Sequence, residues 1–309
     1  FKDYIWGGTR LRDEYGKKCD YDKVAESWEL SCHKDGPSVV ADGEYKGLTL
    51  NEYIEKAGKG VLGKNCERFE NFPILIKLID AKDNLSVQVH PDNDYAMRVE
   101  GEYGKTEMWY VVDCDEGATL LYGFKHEITK EEFARRIADN TLLEVTNAVP
   151  VKKGDVFFIK SGTLHAIGKG ILIAEIQQNS NTTYRIYDYG RVGKDGKPRE
   201  LHVDKALDVT KLAPAEQYPE TPVEKKDGYD IKLLSKCEYF TTYRVNVETK
   251  AELDADENSF NSILVLEGEP VISGGETVSA KKGESVFISA GTGKYTVEGK
   301  CTFVLTKID

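Results

Sequence analysis

The sequence has no apolar run long enough to cross a membrane and no excess of positive charge. Its longest apolar runs, such as 73–78 and 170–173, are much shorter than the ~20 residues that a membrane-spanning helix requires. Lysine and arginine number 42 against 53 aspartate and glutamate residues, so the net charge is -11. An acidic chain of this kind is poorly suited to nucleic acid or to an anionic membrane surface. An anionic small molecule must therefore find a local group of basic side chains.

The sequence also lacks a cysteine pattern. Its six cysteines stand at 19, 32, 66, 114, 237 and 301, with no Cys-x-x-Cys pair. Residues 1–8 show no basic segment followed by an apolar one, so we do not expect a secretion signal there. Scattered cysteines of this kind indicate reduced thiols in a cytoplasmic protein and speak against a disulfide framework or a thiolate zinc site.

What the sequence does contain is a series of short segments rich in β-forming residues. The predicted strands are 73–79, 85–90, 107–113, 118–122, 156–160, 171–178, 184–187, 229–234, 239–247, 262–266, 285–288, 295–298 and 301–306. Helical patterns are few and cover 49–58, 129–139 and 203–209; Thr129 and Glu132 have the spacing of a capping box. Because long helices do not alternate with the strands, the prediction is an all-β fold with a few short helices.

A linker divides the chain. Residues 213–227 contain three prolines and several charges but no apolar periodicity. A chain of 309 residues is long for one domain and comfortable for two. We therefore predict a domain over 1–212, a linker over 213–227 and a second domain over 228–309.

An internal repeat supports this division into two domains. Residues 154–165 (GDVFFIKSGTLH) and 283–294 (GESVFISAGTGK) share Gly, an acidic residue, Phe, Ile, Gly and Thr in register. A repeated strand-turn-strand unit indicates two copies of one β-barrel, although two short hairpins can also be similar by chance. His165 of the first copy aligns with Lys294 of the second. If the copies are real, only the first is expected to bind a metal.

Strand parity brings two polar side chains together near residue 90. In the predicted strand 85–90, Gln88 and His90 point to the same face because successive side chains alternate. Pro91 ends this strand since it has no N–H to donate, and residues 92–93 are expected to continue as a turn. Two potential ligands therefore converge where the strand ends.

Two further potential ligands lie later in the chain, Glu107 at the start of a strand and His165 after a Gly-Thr turn. A closed barrel can direct Gln88, His90, Glu107 and His165 to one point. Imidazole nitrogens with a carboxylate and an amide oxygen suit a divalent transition ion, with zinc as the first choice. A histidine beside a proline turn is more often a surface residue, so spacing alone leaves this site a hypothesis.

Two of these segments resemble known motifs. Gly154-(x5)-Lys160-x-Gly162-x-x-His165 resembles the second cupin motif, with Lys160 where proline is usual, and Gln88-x-His90 resembles the first, with Gln88 in place of a histidine. Further segments resemble the short bacterial class I mannose-6-phosphate isomerases: 6–8 (WGG), 26–33 (ESWELSCH), 86–92 (SVQVHPD), 104–109 (GKTEMW), 165–168 (HAIG) and 175–191 (EIQQNSNTTYRIYDYGR). The resemblance runs from the start to about residue 212 and more weakly beyond.

This resemblance implies an enzyme built from two cupin-type jelly-roll barrels, the second of them free of metal. It implies reversible conversion of mannose 6-phosphate to fructose 6-phosphate through an enediol-type intermediate, with one Zn²⁺ per chain. The resemblance implies that Gln88, His90, Glu107 and His165 are the metal ligands. Arg185 and Lys105 are implied as catalytic residues and Lys77 as a substrate-binding residue; either lysine can instead simply solvate a strand face. The general base stays open between Glu175, Lys105 and a metal-bound water, and Arg191 is a weaker candidate for binding phosphate.

Two other functions compete with the isomerase. The first is a cupin oxygenase with Fe(II) in place of zinc, which metal analysis and oxygen uptake would detect. The second is a noncatalytic sugar-binding protein, which would be stabilised by a sugar without turning it over. The sequence leaves the oligomeric state and the range of sugar phosphates open, because a fold does not set substrate choice.

Overall fold

The chain is mostly β-structure. A computed structural model describes residues 1–193 and 196–309. Its strands are β1 (Glu26–Leu30), β2 (Ile74–Ala81), β3 (Val87–Val89), β4 (Glu107–Cys114), β5 (Thr119–Phe124), β6 (Thr146–Pro150), β7 (Val156–Ile159), β8 (His165–Ala166), β9 (Ile171–Gln178), β10 (Tyr184–Tyr187), β11 (Val223–Lys225), β12 (Tyr229–Lys236), β13 (Thr241–Val247), β14 (Lys250–Ala255), β15 (Asn261–Gly268), β16 (Val271–Gly274), β17 (Glu276–Ser279), β18 (Ser285–Ile288), β19 (Gly293–Glu298) and β20 (Cys301–Lys307). The expectation of a β-fold with few helices is confirmed.

The helices are short. The α-helices are α1 (Arg10–Asp13), α2 (Leu50–Ala57), α3 (Asn93–Val99), α4 (Lys130–Ala138) and α5 (Val203–Val209), with 3₁₀ turns at Lys59–Leu62, Lys64–Cys66 and Leu142–Glu144. Thr129 caps α4 by accepting a hydrogen bond from the Glu132 N–H, as the capping box predicts. Within residues 1–193 and 196–309, the helices are too short and too polar to cross a membrane.

The expected turn at residues 92–93 is wrong, because helix α3 begins there. The Asp92 side chain accepts a hydrogen bond from the Tyr95 N–H and caps the helix. Asp is among the best N-cap residues, so the same residue that favours a turn also favours a helix start. The sequence 91–93 therefore ends one element and starts the next without a turn between them.

The chain divides into two compact units. The first comprises Phe1–Arg10, Asp20–Glu26 and Ile79–Tyr218, and the second comprises Leu11–Cys19, Ser27–Leu78 and Pro219–Asp309. The predicted domains 1–212 and 228–309 follow this division only in part, because residues 27–78 belong to the second unit. Residues 223–225, inside the predicted linker, form strand β11. The domain boundaries stay a prediction.

In the first unit, strands β9-β4-β7, together with residues 79–81 of β2, share a core with the five-stranded sheet β10-β3-β8-β5-β6. Trp109 of β4 and Ile173 of β9 pack with Leu120 of β5 in one buried cluster. A second cluster joins Phe133 of α4 to residues of β3, β5 and β10. Burial of the first cluster holds the two sheets together, and burial of the second packs α4 against one of them. Both clusters fix the direction of the side chains that alternate with them.

The second unit contains a six-stranded sheet, β11-β12-β13-β20-β15-β18, and a four-stranded sheet, β14-β19-β16-β17. One buried cluster joins them and includes Val245, Val265, Tyr295 and Phe303. The two hairpins of the internal repeat have the same strand positions, since β7 covers 156–159 and β18 covers 285–288.

The repeat extends to backbone conformation and to strand pairing. Gly154 and Gly283 have φ of 91° and 86°, and Gly162 and Gly291 have φ of 85° and 80°. Glycine adopts these left-handed angles at little cost, which explains why both copies keep it. Ile159 of β7 pairs with Glu107 of β4, and Ile288 of β18 pairs with Asn261 of β15. Asn261 therefore stands where Glu107 stands in the first unit.

The match between His165 and Lys294 does not extend to side-chain direction. His165 is fully buried, whereas Lys294 is exposed on β19 and its neighbour Tyr295 points into the core. Because side chains alternate along a strand, a shift of one residue exchanges the inner and outer positions. Tyr295, and not Lys294, fills the inner position of the second unit.

A candidate metal centre in the first unit

A row of directly opposed residues crosses one sheet of the first unit. Gln88 of β3 pairs with Arg185 of β10 on one side and with His165 of β8 on the other, and His165 pairs with Tyr122 of β5. Directly opposed residues of neighbouring strands send their side chains to the same face. Arg185, Gln88, His165 and Tyr122 therefore belong to one face of this sheet.

The other sheet supplies the acidic residues. Glu107 of β4 pairs with Gln177 of β9, and two residues further on Trp109 pairs with Glu175. Trp109 belongs to the core shared by both sheets, so parity directs Glu107 and Glu175 to the same interior. Glu107 and His165 are fully buried, and Glu175 is nearly so.

Three of the four predicted metal ligands meet in this interior. His90, Glu107 and His165 are the group of potential metal ligands that the described residues bring together. The two Nε2 atoms of His90 and His165 are 3.1 Å apart. Glu107 Oε1 lies 3.4 Å from Nε2 of His165, and Glu107 Oε2 lies 3.6 Å from Nε2 of His90.

Backbone carbonyls fix the tautomers of both histidines. Nδ1 of His90 donates to the carbonyl of Thr182 at 3.0 Å, and Nδ1 of His165 donates to the carbonyl of Thr163 at 2.8 Å. Burial lowers the pKa of His165 to about 4, so this ring is neutral near pH 7. Both Nε2 atoms then carry lone pairs that face each other, an arrangement that two hydrogen-bond acceptors do not favour and that a shared cation stabilises.

These distances fit a small divalent ion. Four ligand atoms at 2.0–2.2 Å from a zinc ion in tetrahedral arrangement are about 3.3–3.6 Å apart. Four pairs of atoms among these residues lie 3.1 to 3.6 Å apart, including the Gln88 amide nitrogen and Nε2 of His165 at 3.4 Å. Turning the Gln88 amide by half a rotation places its oxygen there instead. Two imidazoles, a carboxylate and an amide oxygen are a donor set that suits zinc.

Lys105 lies against the same cluster. Its Nζ is 2.6 Å from Glu107 Oε2, 3.1 Å from His90 Nε2 and 3.9 Å from Glu175 Oε1. Glu175 is oriented in turn by Trp109, whose Nε1–H donates to Oε2 at 2.9 Å. Lys105 is 4% exposed, so the alternative that it only solvates a strand face is wrong. Trp109 is thus both part of the buried core and the group that orients this carboxylate.

Arg185 belongs to a group of arginines beside this cluster. Its backbone N–H donates to Nδ1 of His202, and its Nη1 donates to the carbonyl of Glu200. Its Nε is buried and has no hydrogen-bond partner among the described residues. Burial and the nearby charge of Arg199 lower the pKa of Arg185, although Asp188 opposes the shift. The guanidinium stays charged near pH 7, because its pKa starts far above that value.

Asp188 organises the other arginines of this group. It accepts two hydrogen bonds from Arg199, at 2.6 and 2.8 Å, and one from Arg191 at 2.5 Å. Burial alone would raise the pKa of Asp188, but its hydrogen bonds to Arg199 and Arg191 outweigh burial and hold it below the usual value. Asp188 lies in the family-like segment 175–191, but no pattern there marks it as the partner of arginines. Arg199 had no signal in the sequence, because it reaches the group from a separate loop outside the recognised segments.

Lys77 is placed differently from the other candidates. It lies on β2 within the second unit, is 3% exposed, and has its Nζ 5.1 Å from the centre of the Trp28 ring. The expectation that it simply solvates a strand face is wrong, because β2 is buried along its whole length. Its role as a substrate-binding residue stays a prediction.

The fold and the buried cluster together define a cupin-class β-protein in which two histidines and a carboxylate are placed as potential metal ligands. Comparison with known proteins identifies the family within this class. Residues 1–117 match the family model described as phosphomannose isomerase type I, catalytic domain, and residues 230–308 match mannose-6-phosphate isomerase, cupin domain.

Individual relatives agree along the whole chain. The mannose-6-phosphate isomerase ManA of Bacillus subtilis (strain 168) is 39% identical, with 100% of this chain and 96% of the relative covered. The mannose-6-phosphate isomerase of Streptococcus mutans is 40% identical over 92% of this chain and 88% of its own length. A crystal structure of the mannose 6-phosphate isomerase from Bacillus subtilis superposes with a TM-score of 0.93, at 38% identity, covering 99% of this chain and 96% of that one. The chain belongs to the type I mannose-6-phosphate isomerase family, and the expectation that it is an enzyme of this family is confirmed.

Proposed function

We propose that this chain interconverts mannose 6-phosphate and fructose 6-phosphate, using one divalent ion held by Gln88, His90, Glu107 and His165. The observation that carries the proposal is the pair of buried imidazole Nε2 atoms 3.1 Å apart, with Glu107 oxygens 3.4 and 3.6 Å from them. Zinc is the ion that this donor set suits best, and the reaction needs no redox step. Full-length similarity to mannose-6-phosphate isomerases supports the choice of substrate.

The reaction moves a carbonyl from C1 to C2 of the sugar. It requires removal of a proton from carbon and stabilisation of an enediol-type intermediate. A bound divalent ion supplies a Lewis acid for the carbonyl and hydroxyl oxygens. The protein supplies, from buried side chains, the groups that carry the proton and balance the charge.

Lys105 and Glu175 are the groups best placed to move the proton. Lys105 Nζ lies between Glu107 and Glu175, at 2.6 and 3.9 Å, and Trp109 fixes the orientation of the Glu175 carboxylate. A base of this kind must lie within hydrogen-bond reach of the proton that it takes. We assign the catalytic role to Lys105, with Glu175 as its partner in the transfer.

Arg185 supplies a fixed positive charge. It is directly opposed to Gln88 in the sheet, so its side chain starts on the face that carries the ligand residues. A preorganised cation of this kind stabilises negative charge that develops on the sugar oxygens during enolisation. Arg191 and Arg199, held by Asp188, add positive charge near it, which suits a phosphorylated substrate in an otherwise acidic chain.

The second unit is proposed to form a cupin-type barrel that binds no metal. Asn261 stands in the register position of Glu107, and its amide donates to the Tyr295 hydroxyl and to the Asp254 carbonyl. The Asn261 amide uses both of its N–H donors in these bonds, and Tyr295 fills the inner position beside it. The second unit therefore has no pair of nitrogen ligands like His90 and His165. The six cysteines are free thiols, which supports the proposal that the enzyme works in the cytoplasm.

A coupled assay with mannose 6-phosphate tests this function directly. We expect formation of fructose 6-phosphate and, in deuterated water, incorporation of deuterium at the carbon that exchanges its proton. Absence of interconversion with zinc-loaded protein would overturn the assignment. The Lys77→Met variant extends the test, because a substrate-binding lysine raises KM far more than it lowers kcat.

A further inference from the structure

The second unit contains a cavity of about 470 Å³ on the inner side of its six-stranded sheet. Its walls include Tyr229 and Leu233 of β12, Tyr243 of β13 and Leu305 of β20, while residues 221–226 line another side. A volume in this range is typical of sites for small molecules.

This cavity lies at the place that corresponds to the metal centre of the first unit. Asn261, which lines it, stands in the register position of Glu107. Ile263 pairs with Leu305 in the second unit as Trp109 pairs with Glu175 in the first. Leu305 therefore takes the place of Glu175, and an apolar side chain replaces a carboxylate in the wall.

The polar part of the cavity points to a ligand that donates hydrogen bonds. Asn261 is 1% exposed and its Nδ2 donates to both the Asp254 carbonyl and the Tyr295 hydroxyl, each at 2.9 Å. The carbonyl partner fixes the orientation of the amide, because a carbonyl oxygen only accepts. Oδ1 of Asn261 has no hydrogen-bond partner in the described part of the chain. A buried acceptor of this kind is stabilised when a hydroxyl reaches it.

The charges around the cavity favour an uncharged ligand. Lys307 is paired with Asp309 at 2.8 Å, and Lys226 is paired with Glu224 at 3.1 Å. Asp254 adds a further carboxylate to the lining. The lysines that line the cavity are thus already engaged, and a phosphate group would meet carboxylates beside them. The rings of Tyr229 and Tyr243 offer apolar faces of the kind that pack against the C–H face of a sugar ring.

We infer that this cavity binds an uncharged monosaccharide or sugar alcohol, at a site separate from the metal centre. The hydroxyl groups of such a ligand donate to Asn261 and its C–H face packs on the tyrosines. This inference does not depend on the proposed isomerase reaction, since it uses residues of the second unit alone.

Titration of the isotope-labelled full-length protein with D-mannose, D-fructose and mannitol tests the inference by NMR. At sugar concentrations up to about 20 mM, well above a Kd near 1 mM, we expect saturable shifts of backbone amides at 229–233, 243, 253–261 and 305. The Leu253→Trp variant places an indole in the cavity wall and should weaken binding at least tenfold. Val271→Trp adds the same group to an exposed position of the same unit and should bind as the unchanged protein does.

Two results would overturn the inference. The first is that none of the three sugars shifts these amides. The second is that a sugar shifts residues around His90 and His165 instead, and that the shifts disappear in His165→Ala but persist in Leu253→Trp. If Leu253→Trp does not fold, as judged by its thermal transition, Tyr243→Ser removes a wall of the cavity and should cause the same loss.

Discussion

The two units of this chain carry related hairpins but different chemistry at corresponding positions. In the first unit the inner positions hold Glu107 and His165, whereas in the second they hold Asn261 and Tyr295. The backbone conformation is kept, down to left-handed glycines at both ends of the hairpin. A common backbone therefore directs different side chains inward in the two units, and the chemistry of each unit depends on those side chains.

The polar groups of the two units are satisfied in different ways. Asn261 and Tyr295 bond to each other within the second unit, which leaves a neutral and self-contained pair. In the first unit, Glu107 shares its interior with the neutral imidazole of His165, with His90 and with Lys105. A buried carboxylate needs compensating positive charge. The first unit thus holds a buried carboxylate beside two imidazoles, whereas the corresponding pair of the second unit is uncharged.

The largest expected effect follows removal of a histidine from the first unit. His165→Ala should lose its metal and lower kcat/KM by about 10³-fold or more, because the Lewis acid contributes several kcal/mol. Metal content by elemental analysis and turnover by the coupled assay check this together. A variant that keeps both metal and turnover would remove His165 from the site.

Replacement of Lys105 should separate catalysis from metal binding. Lys105→Met keeps the length of the side chain but cannot carry a proton, so kcat should fall by about 10²- to 10⁴-fold. The metal content should stay at the level of the unchanged protein, since Lys105 is not one of the four ligands. Loss of metal in parallel with turnover would instead assign Lys105 to the assembly of the metal site.

Arg185→Ala is expected to lower kcat by roughly 10²- to 10³-fold, the usual loss for one preorganised charge. Metal content should again be unchanged. Arg135→Ala, which removes an exposed arginine of the same unit, is the matched control and should retain full turnover. If Arg185→Ala lost metal to the same extent as turnover, this arginine would instead support the fold of strand β10.

A smaller effect is expected at Asn261, and on stability. Asn261→Ala removes the hydrogen bonds to Tyr295 and to the Asp254 carbonyl, which should lower the free energy of unfolding by about 1–3 kcal/mol. Denaturant unfolding followed by tyrosine fluorescence measures this change. Its metal content should not differ from that of the unchanged protein, and a loss of metal would place a second ion in this unit.

The smallest effect is expected at Lys294, the residue that aligns with His165. Its side chain is exposed on β19, so Lys294→Ala should change neither metal content nor turnover, and stability should stay within about 0.5 kcal/mol. A clear effect on turnover would show that the aligned positions correspond in function despite their different directions.

Much of this fold was predictable because strand segments were rich in β-branched and aromatic residues. The predicted strands 171–178, 184–187 and 285–288 and the helix 203–209 agree with the structure to the residue. Strands β14 and β16 were missed, since short strands with charges or with Gly and Pro nearby lack a strong alternating pattern. Helix α3 was missed because Asp92 serves turns and helix starts equally well.

Less of the candidate site could be predicted from the sequence. Parity placed Gln88 and His90 together, but it gave no reason why the distant Glu107 should meet them, and resemblance to a family supplied that link. The carbonyls of Thr163 and Thr182 that fix the histidine tautomers carry no sequence signal, because any residue has a backbone carbonyl. The inward position of Tyr295 was missed for a related reason, since a one-residue change of register is invisible in an alignment of two hairpins.

We expect isomerisation to require one metal ion, bound in the first unit. Titration of chelator-treated protein with Zn²⁺, with turnover of mannose 6-phosphate measured at each addition, tests it most directly. We predict that turnover is lost on chelation, returns with added zinc and stops rising at one ion per chain. Full turnover in the metal-free protein, or a rise that continues to two ions per chain, would contradict the account.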